Sequence, residues 1–208
     1  MCDRCGEFSF FGLAEPQEAM LESYAAALRE GWSPNNTRDV SGEQLRDIET
    51  DPAGFLAKLI DPAVTETFPD GTIMQRLPFQ LRWMWDGDFC GVISLRHQPG
   101  TSTLPSHAAG HIGYAVVPWK RRHGYASRGL RQMLDEAREV GLARIELAMA
   151  PDNTGSRQVV ERCGGQRDGT WSHPSFLAGT WSHDSFAATG VLDRYVIGLQ
   201  TEQSPRGR

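Results

Sequence analysis

The sequence predicts a mixed, mostly antiparallel β-sheet with helices on both faces, an α/β fold of the α+β type. Apolar and polar residues alternate over Phe79–Trp85 and again over Phe89–Leu95, on either side of Asp86-Gly87-Asp88, which is typical of a β-hairpin. After this hairpin the patterns run strand, helix, strand, helix, an order that requires crossover connections. Together these observations favour a mixed sheet covered by helices.

Short helices are predicted before the hairpin. An apolar run over Phe8–Leu13 predicts a first strand, and Glu18–Arg29 has the pattern of a helix. Ser41 and Gln44 have the spacing of a capping box, in which the serine side chain accepts a hydrogen bond from the helix start. An apolar stripe broken at Pro52 predicts further helical turns. We therefore expect two or three helical pieces before the sheet.

Strands and helices are predicted to alternate beyond the hairpin. Pro118 closes the first of these strands, and Gly141 ends the following helix, whose apolar residues fall on one face. In chain order the predicted elements cover His111–Val117, Ala126–Ala137, Ala143–Met149, Thr154–Cys163 and Val191–Leu199.

Length and composition limit the class of protein. The 208 residues, 39% of them hydrophobic and 23% charged, suit a single domain, which we place at residues 1–200. A formal net charge of −5 argues against a nucleic-acid partner, because such binding needs clustered Lys and Arg. The sequence has no run of about 18 apolar residues to span a bilayer and no signal peptide. We therefore predict a cytoplasmic protein without a membrane partner.

The cysteines do not predict a metal site. Cys2 and Cys5 form a CxxC pair, whereas Cys90 and Cys163 stand alone in apolar segments, so a four-ligand zinc site lacks its second pair. We expect reduced, structural thiols and no metal, with a structural zinc at the CxxC pair as the alternative.

A ten-residue segment is duplicated before the last predicted strand. Gly169–Ala178 (GTWSHPSFLA) and Gly179–Ala188 (GTWSHDSFAA) differ at two positions. Two copies cannot build a solenoid, so the duplicated segment either extends a hairpin or lines a substrate pocket. The polar tail over 201–208 is expected to be disordered.

The segment most informative about chemistry is HIGYAVVPWKRRHGYASRGL, at His111–Leu130. A strand ends at Pro118, a basic turn follows, and a helix begins close to Gly124. The first N–H groups of a helix lack intrahelical partners and lie at the positive end of its dipole, so they bind a diphosphate well. Gly124 allows close approach to the backbone, and the basic cluster Lys120–Arg122 suits a small polyanion.

This turn resembles that of a known family. Arg121-Arg122-His123-Gly124-Tyr125-Ala126 resembles the Arg/Gln-x-x-Gly-x-Gly/Ala signature of the GNAT superfamily of N-acetyltransferases, and Pro118 is also typical of it. The resemblance covers roughly residues 66–166 and 194–197 and looks closest to a bacterial subgroup of uncharacterised predicted acetyltransferases. It implies the GNAT fold, in which two central parallel strands splay apart at their ends. Further landmarks are Gly91–His97, Gly110–Tyr114, Asp152-Asn153, Ser156 and Gly164-Gly165.

The resemblance implies acetyl-CoA as cosubstrate and assigns residues to it. Val116 and Val117 would offer backbone groups to the pantetheine arm, and the Asn153 amide would help to orient the cofactor. Seven consecutive residues would hold the diphosphate: Arg121, Arg122, His123, Gly124, Tyr125, Ala126 and Ser127.

Direct transfer to an amine needs a base, because an alkyl ammonium with a pKa of about 10.4 is protonated at neutral pH. His111 lies where many members of the family keep a Glu base, and His107 or a water chain are the alternatives. Val160 stands where many members carry a Tyr that donates a proton to the leaving thiolate. Ser156 is then the nearest hydroxyl, and it serves either as this donor or as a helix cap.

The sequence thus predicts an N-acetyltransferase that moves an acetyl group from acetyl-CoA to an amine in a ternary complex. The acceptor is a small molecule or peptide that the sequence does not identify. A non-catalytic acyl-CoA-binding sensor is the main alternative, and transfer to a hydroxyl or of a longer acyl chain also stays open. Members of this family are often dimers, so the resemblance also implies a possible homodimer.

Overall fold

The structure is a computed structural model, and it describes residues 11–35, 39–61, 65–67, 73–75, 77–172 and 191–199 of the chain. The CxxC pair at Cys2 and Cys5, most of the duplicated segment and the tail over 201–208 lie outside these residues. The predictions made for them therefore stay predictions.

The described chain contains nine strands and five α-helices. The strands are β1 (Gly12–Ala14), β2 (Thr65–Thr67), β3 (Ile73–Gln75), β4 (Phe79–Trp85), β5 (Phe89–Arg96), β6 (Ile112–Val116), β7 (Arg144–Met149), β8 (Gln166–Ser172) and β9 (Val191–Gly198). The helices are α1 (Leu21–Arg29), α2 (Ser41–Thr50), α3 (Pro52–Ile60), α4 (Tyr125–Glu139) and α5 (Thr154–Arg162). The elements predicted from the alternation and helical patterns are present, with ends shifted by a few residues. None of the described helices is long and apolar enough to cross a bilayer.

The strands form two main sheets that meet at one seam. The first has the order β1-β4-β5-β6 and the second β7-β9-β8, while β2 and β3 make a separate hairpin, and every described pairing is antiparallel. The helix α4 connects β6 to β7, as a crossover between parallel neighbours requires. The prediction of a mostly antiparallel sheet with helices is confirmed.

Few hydrogen bonds join β6 to β7 at the seam. Among the described residues, a single backbone hydrogen bond crosses it, from His111 N to Glu146 O at 2.7 Å. Gly110 permits this approach, because its φ of +149° favours glycine and a Cβ there would lie 3.1 Å from Glu146 O and 3.2 Å from Leu147 Cα. No ladder continues beyond that point, so the central strands diverge as the resemblance implies.

Helices cover both faces of the first sheet. On one face α1–α3 enclose an aromatic cluster in which Tyr24 stacks on Trp83, with ring centroids 4.7 Å apart. On the other face α4 contributes the apolar side that its periodicity predicts, and α5 adds Val160. This second core includes Ile93, Leu95, Leu130, Met133, Leu134, Ala137, Ile145, Leu147 and Ile197.

One local prediction is wrong. Ser41 does not cap α2, because it is already the first helical residue and no side chain makes the cap bond. Asp39 instead accepts hydrogen bonds from the Ser41 backbone N–H at 2.8 Å and from its hydroxyl at 2.6 Å. Gln44 accepts a hydrogen bond from the Tyr24 hydroxyl, so it belongs to the packing of α1 against α2.

Candidate cofactor and active site

The turn before α4 is shaped by two residues with positive φ. Gly124, at the helix N-cap, has a φ of 83°, and Arg122 is the one described non-glycine residue with a positive φ, at 63°. Successive backbone N–H groups in such a turn form a concave anion site. No side chain caps the helix, and a Cβ at Gly124 would meet no atom within 4 Å, so the space in front of the turn is open. The prediction that a helix begins close to Gly124 is confirmed.

The three basic residues of this turn do not act alike. Arg121 and Arg122 are exposed, as is His123. Lys120 has a side chain that is only 17% exposed, and its Nζ lies 2.7 Å from Asp86 Oδ1. The structure therefore corrects the prediction for the Lys120–Arg122 cluster. The two arginines can neutralise a polyanion, whereas the charge of Lys120 is already paired.

The first turn of α4 is fastened to the protein behind it. The Tyr125 hydroxyl donates a hydrogen bond to Asp86 Oδ2, and the Tyr125 ring lies 4.8 Å from the Arg128 guanidinium carbon. Ala126 is half-buried. Ser127 is buried, and its carbonyl accepts a weak contact from Cys163 Sγ at 3.7 Å. A ligand at the helix start would meet backbone groups here more than side chains.

Beyond the hydrogen bond from His111 to Glu146, no ladder joins β6 to β7 in the described residues, and we call the space between these two strands the gap. The edge of β6 that faces β7 carries backbone groups directed into this gap. Val117 N donates to Cys90 O at 3.0 Å, and Arg96 N donates to His111 O at 2.8 Å. Because backbone groups alternate in direction along an antiparallel strand, those of Tyr114 and Val116 point away from β5. The Val116 carbonyl accepts a hydrogen bond from Arg121 Nε at 3.1 Å. This bond joins the edge to residues 121–124, which we call the anion turn.

The structure corrects the prediction for Val117. Its N–H is held by Cys90 O, and its carbonyl accepts from Lys120 N at 3.0 Å. Its side chain is fully buried. Both of its backbone groups thus have partners inside the protein, and Val116 is the residue of the pair that can meet a ligand in the gap.

His111 lies at the seam and is fully buried. Its Nδ1 accepts a hydrogen bond from Glu146 N at 2.9 Å, so the neutral ring carries its proton on Nε2, which has no hydrogen-bond partner among the described residues. Burial lowers the pKa of His111 to about 4, and the charges of Arg144 and Arg96 act in the same direction. The imidazole therefore ties β6 to β7 as a neutral ring.

The far side of the gap is formed by the start of α5. Asn153 caps this helix, accepting a hydrogen bond from Ser156 N at 3.0 Å, so the cap is the asparagine and not Ser156. The Tyr114 hydroxyl lies 3.4 Å from Ser156 O, so this side chain reaches from β6 across the gap to α5. Burial raises the pKa of Tyr114 to about 12. Sequence reasoning missed Tyr114, because a tyrosine in a strand carries no local signal of a partner 42 residues away.

The other candidates for chemistry are less well placed. His107 is half-buried in the loop between β5 and β6. Burial raises the pKa of the Cys90 thiol to about 12 and also raises that of Cys163, so neither is an activated nucleophile. Within the described ranges, no group of three or more His, Cys, Asp or Glu side chains is arranged to hold a metal ion.

The family profile "Acetyltransferase (GNAT) family" matches residues 19–165, which is more than half of the chain. No curated protein matches the chain by sequence. Solved structures share the fold: RimJ of Mycobacterium smegmatis in complex with CoA-disulfide has a TM-score of 0.63 and 20% identity, covering 95% of this chain and 85% of RimJ. The ribosomal L7/L12 α-N-protein acetyltransferase RimL in complex with coenzyme A has a TM-score of 0.58 and 14% identity, covering 92% and 95%. A spermidine N-acetyltransferase SpeG chimera from Vibrio cholerae and hSSAT has a TM-score of 0.51 and 14% identity, covering 91% and 96%.

A helix start without a side-chain cap thus adjoins a strand edge without a partner strand in the described residues. With its profile matched over most of its length, the chain belongs to the GNAT acetyltransferase family. The recognition, fold and enzyme class predicted from the turn at Arg121–Ala126 are thereby confirmed.

Proposed function

We propose that this protein transfers an acetyl group from acetyl-CoA to an amine of a small molecule or peptide, directly and within a ternary complex. The observation that carries the proposal is the meeting of two features at one place. The helix start at Gly124 has open space in front of it, and the gap-facing edge at Val116 adjoins it through Arg121. The acceptors that RimL and SpeG are named for, a protein α-amine and spermidine, are both amines.

The residues of the turn fit the diphosphate of acetyl-CoA. The uncapped N–H groups of residues 124–127 would donate hydrogen bonds to its oxygens, and Arg121 and Arg122 would supply charge. The backbone of Val116 would pair with the pantetheine arm as an added strand does. Asn153, whose Oδ1 is taken by the helix cap, has its side-chain N–H₂ left for the cofactor. When bound, acetyl-CoA supplies a thioester whose carbonyl an amine can attack.

The acceptor must lose a proton, and His111 is the residue that the sequence favours for this step. Its geometry favours a positioning role instead. The Nδ1 lone pair is engaged by Glu146 N, and the proton on Nε2 must leave before that atom can act as a base. We therefore favour the water chain among the alternatives, with His111 holding β6 and β7 at the distance that the gap requires.

The departing thiolate needs a hydrogen-bond donor. The sequence favours the Ser156 hydroxyl for this role, and the structure adds the Tyr114 hydroxyl, which lies 3.4 Å from the Ser156 backbone carbonyl. The pKa of Tyr114 is raised to about 12, so the phenol stays protonated at neutral pH. A thiol has a pKa of about 8.5, so complete proton transfer from this phenol is uphill by roughly 4 to 5 kcal/mol. Tyr114 would stabilise the thiolate by turning its single O–H from the Ser156 carbonyl to the sulfur, while solvent supplies the proton that the thiolate takes up.

A second candidate function is an acyl-CoA sensor without catalysis. It is favoured by two observations, namely Val160 at the position of the usual tyrosine and a buried, neutral His111. Both functions use the same coenzyme site. The net charge of −5 suits a cationic acceptor. We also propose a cytoplasmic location, from composition, and a homodimer, from the family.

An acceptor screen tests the proposal. Purified protein is incubated with acetyl-CoA and a panel of amines, thiol release is followed, and products are identified by mass spectrometry. We expect one class of amine to be acetylated. Coenzyme A binding without turnover for any amine, alcohol or peptide would support the sensor, and absence of coenzyme A binding by calorimetry would reject both functions.

A further inference from the structure

Asp86 lies in the hairpin turn between β4 and β5, yet its carboxylate contacts both ends of the anion turn. Its Oδ1 lies 2.7 Å from Lys120 Nζ, 34 residues away, and its Oδ2 accepts a hydrogen bond from the Tyr125 hydroxyl, 39 residues away. The Asp86 side chain is 12% exposed. Lys120 Nζ also lies 3.5 Å from Cys90 Sγ, which is buried behind it.

These contacts bracket the segment that would hold a diphosphate. Lys120 immediately precedes residues 121–124, and Tyr125 immediately follows them as the first residue of α4. The segment between contains the strained Arg122, at φ 63°, and Gly124, at φ 83°. Such a backbone keeps its conformation only where the surrounding structure holds it. One carboxylate thus fixes both ends of a four-residue turn whose own geometry is unfavourable.

We propose that Asp86 is a positioning residue for the coenzyme, which preforms the anion turn by holding Lys120 and Tyr125 at once. The proposal rests on the proposed function, because it concerns the same anion turn. Asp86 does not touch the ligand in this role. It acts through the backbone N–H groups of the turn, which it keeps directed toward one point.

Because Asp86 is charged, a positioning role and a purely electrostatic effect predict opposite changes in coenzyme A binding when the charge is removed. Burial raises the pKa of Asp86, but the hydrogen bonds from Lys120 and Tyr125 and the charge of Lys120 outweigh it and lower the pKa to about 2. Asp86 is therefore an anion at neutral pH, beside a site for a polyanion. If charge alone mattered, removing it would strengthen coenzyme A binding and release Lys120 to bind phosphate. The positioning role predicts weaker binding.

The test compares three variants by calorimetry with coenzyme A. Asp86→Asn is expected to raise Kd by about tenfold or more, because it loses the ion pair and leaves the Tyr125 bond weaker. Tyr125→Phe, which removes one bond and leaves all charges, should raise Kd by roughly three- to tenfold. Asp88→Asn is the matched control: Asp88 is in the same hairpin turn, 63% exposed and 3.8 Å from Lys120, so it removes an equal charge without touching Tyr125. Its Kd should stay within about twofold.

Hydrogen exchange without ligand keeps this test independent of the proposed function. The amides of Lys120 and Arg128 close the turns on either side, through bonds to Val117 O and Gly124 O, each at 3.0 Å. Both amides should exchange faster in Asp86→Asn and in Tyr125→Phe, but not in Asp88→Asn. An Asp86→Asn variant with unchanged or tighter Kd, or with unchanged exchange at both amides, overturns the proposal. If Asp86→Asn does not fold, unchanged Kd and exchange in Tyr125→Phe overturn it equally. A wild-type protein that fails to bind coenzyme A rejects the proposed function instead.

Discussion

One face of the first sheet is covered by packed aromatic side chains, whereas the edge of the same sheet toward β7 has no partner strand in the described residues. On the face covered by α1–α3, Tyr24 stacks on Trp83, and Phe89 meets both rings edge-on, at centroid distances of 5.0 and 5.6 Å. At the edge toward β7, the backbone groups of Tyr114 and Val116 face a gap with no partner strand beside them. The aromatic face stabilises the fold by burying apolar surface. No strand pairs with this edge in the described residues, although Arg121 Nε contacts the Val116 carbonyl, and the backbone groups of such an edge are those that a strand-like ligand needs.

The largest expected effect lies on the aromatic face. Trp83→Ala should lower the free energy of unfolding by about 3 to 5 kcal/mol, because it leaves a cavity beside Tyr24. Chemical denaturation measures this loss. Trp83→Phe is the control, since it keeps a ring and removes an indole N–H that has no acceptor among the described residues. It should cost far less. A loss below about 1 kcal/mol for Trp83→Ala would show that this face does not carry the stability assigned to it.

The next effect lies at the anion turn and should change binding more than stability. Gly124→Val places a branched side chain in the open space before α4 and should raise the Kd for coenzyme A by about a hundredfold or more. Gly141→Val is the matched control, because Gly141 has a φ of 82° against 83° for Gly124, also faces open space, and lies at the other end of α4. Both variants carry the same backbone strain. Equal Kd values for the two would remove the coenzyme from this helix start.

His111 lies at the seam between β6 and β7, and two substitutions separate its possible roles. His111→Ala loses the acceptor for Glu146 N, whereas His111→Asn can replace it with a side-chain oxygen. If His111 positions the strands, His111→Asn should retain kcat/KM within about tenfold, while His111→Ala should lose a hundredfold together with coenzyme A affinity. If His111 is the base, both variants should lose about a hundredfold in kcat/KM and the acidic limb of the pH profile, with coenzyme A affinity intact.

The same residue predicts how stability depends on pH. The pKa of His111 is lowered from 6.5 to about 4 in the folded protein, so the unfolded chain binds more protons between these values. Its contribution is fully present above pH 6.5 and is lost as the pH falls toward 4, with a total of up to about 3 kcal/mol. His111→Asn should show a smaller fall in unfolding free energy across this window. An identical fall in both proteins would mean that another group titrates there.

The contrast between the two regions also explains what could be predicted from sequence. The helix start at Gly124 and the alternation in β4–β7 are local patterns, and they were predicted within a few residues. The contacts that complete the site are not local. Asp86 reaches Tyr125 only because the hairpin turn packs beside α4, and Tyr114 reaches Ser156 only because β6 and β7 diverge. No spacing rule predicts such pairs. The pairing of Lys120 was missed for the same reason, since a basic run looks the same whether or not one member is buried.

The smallest expected effect concerns Arg121, at the point where the anion turn meets the open edge. Its side chain is exposed, so its attraction to a phosphate is screened, and its Nε also holds the Val116 carbonyl. Arg121→Ala should therefore weaken coenzyme A binding by about 1 kcal/mol, near the lower end for a charged hydrogen bond. Because the attraction is screened, the difference in coenzyme A affinity between wild type and variant should shrink as salt is raised from about 0.05 to 0.5 M.

Arg121→Lys keeps the charge but reaches Val116 O less well, so an affinity close to that of Arg121→Ala would assign the effect to the carbonyl contact. An affinity close to wild type would assign it to charge. A loss of coenzyme A affinity that is large and independent of salt would contradict the exposed placement of Arg121. It would indicate that Arg121 contacts the coenzyme in a buried part of the site and not at its rim.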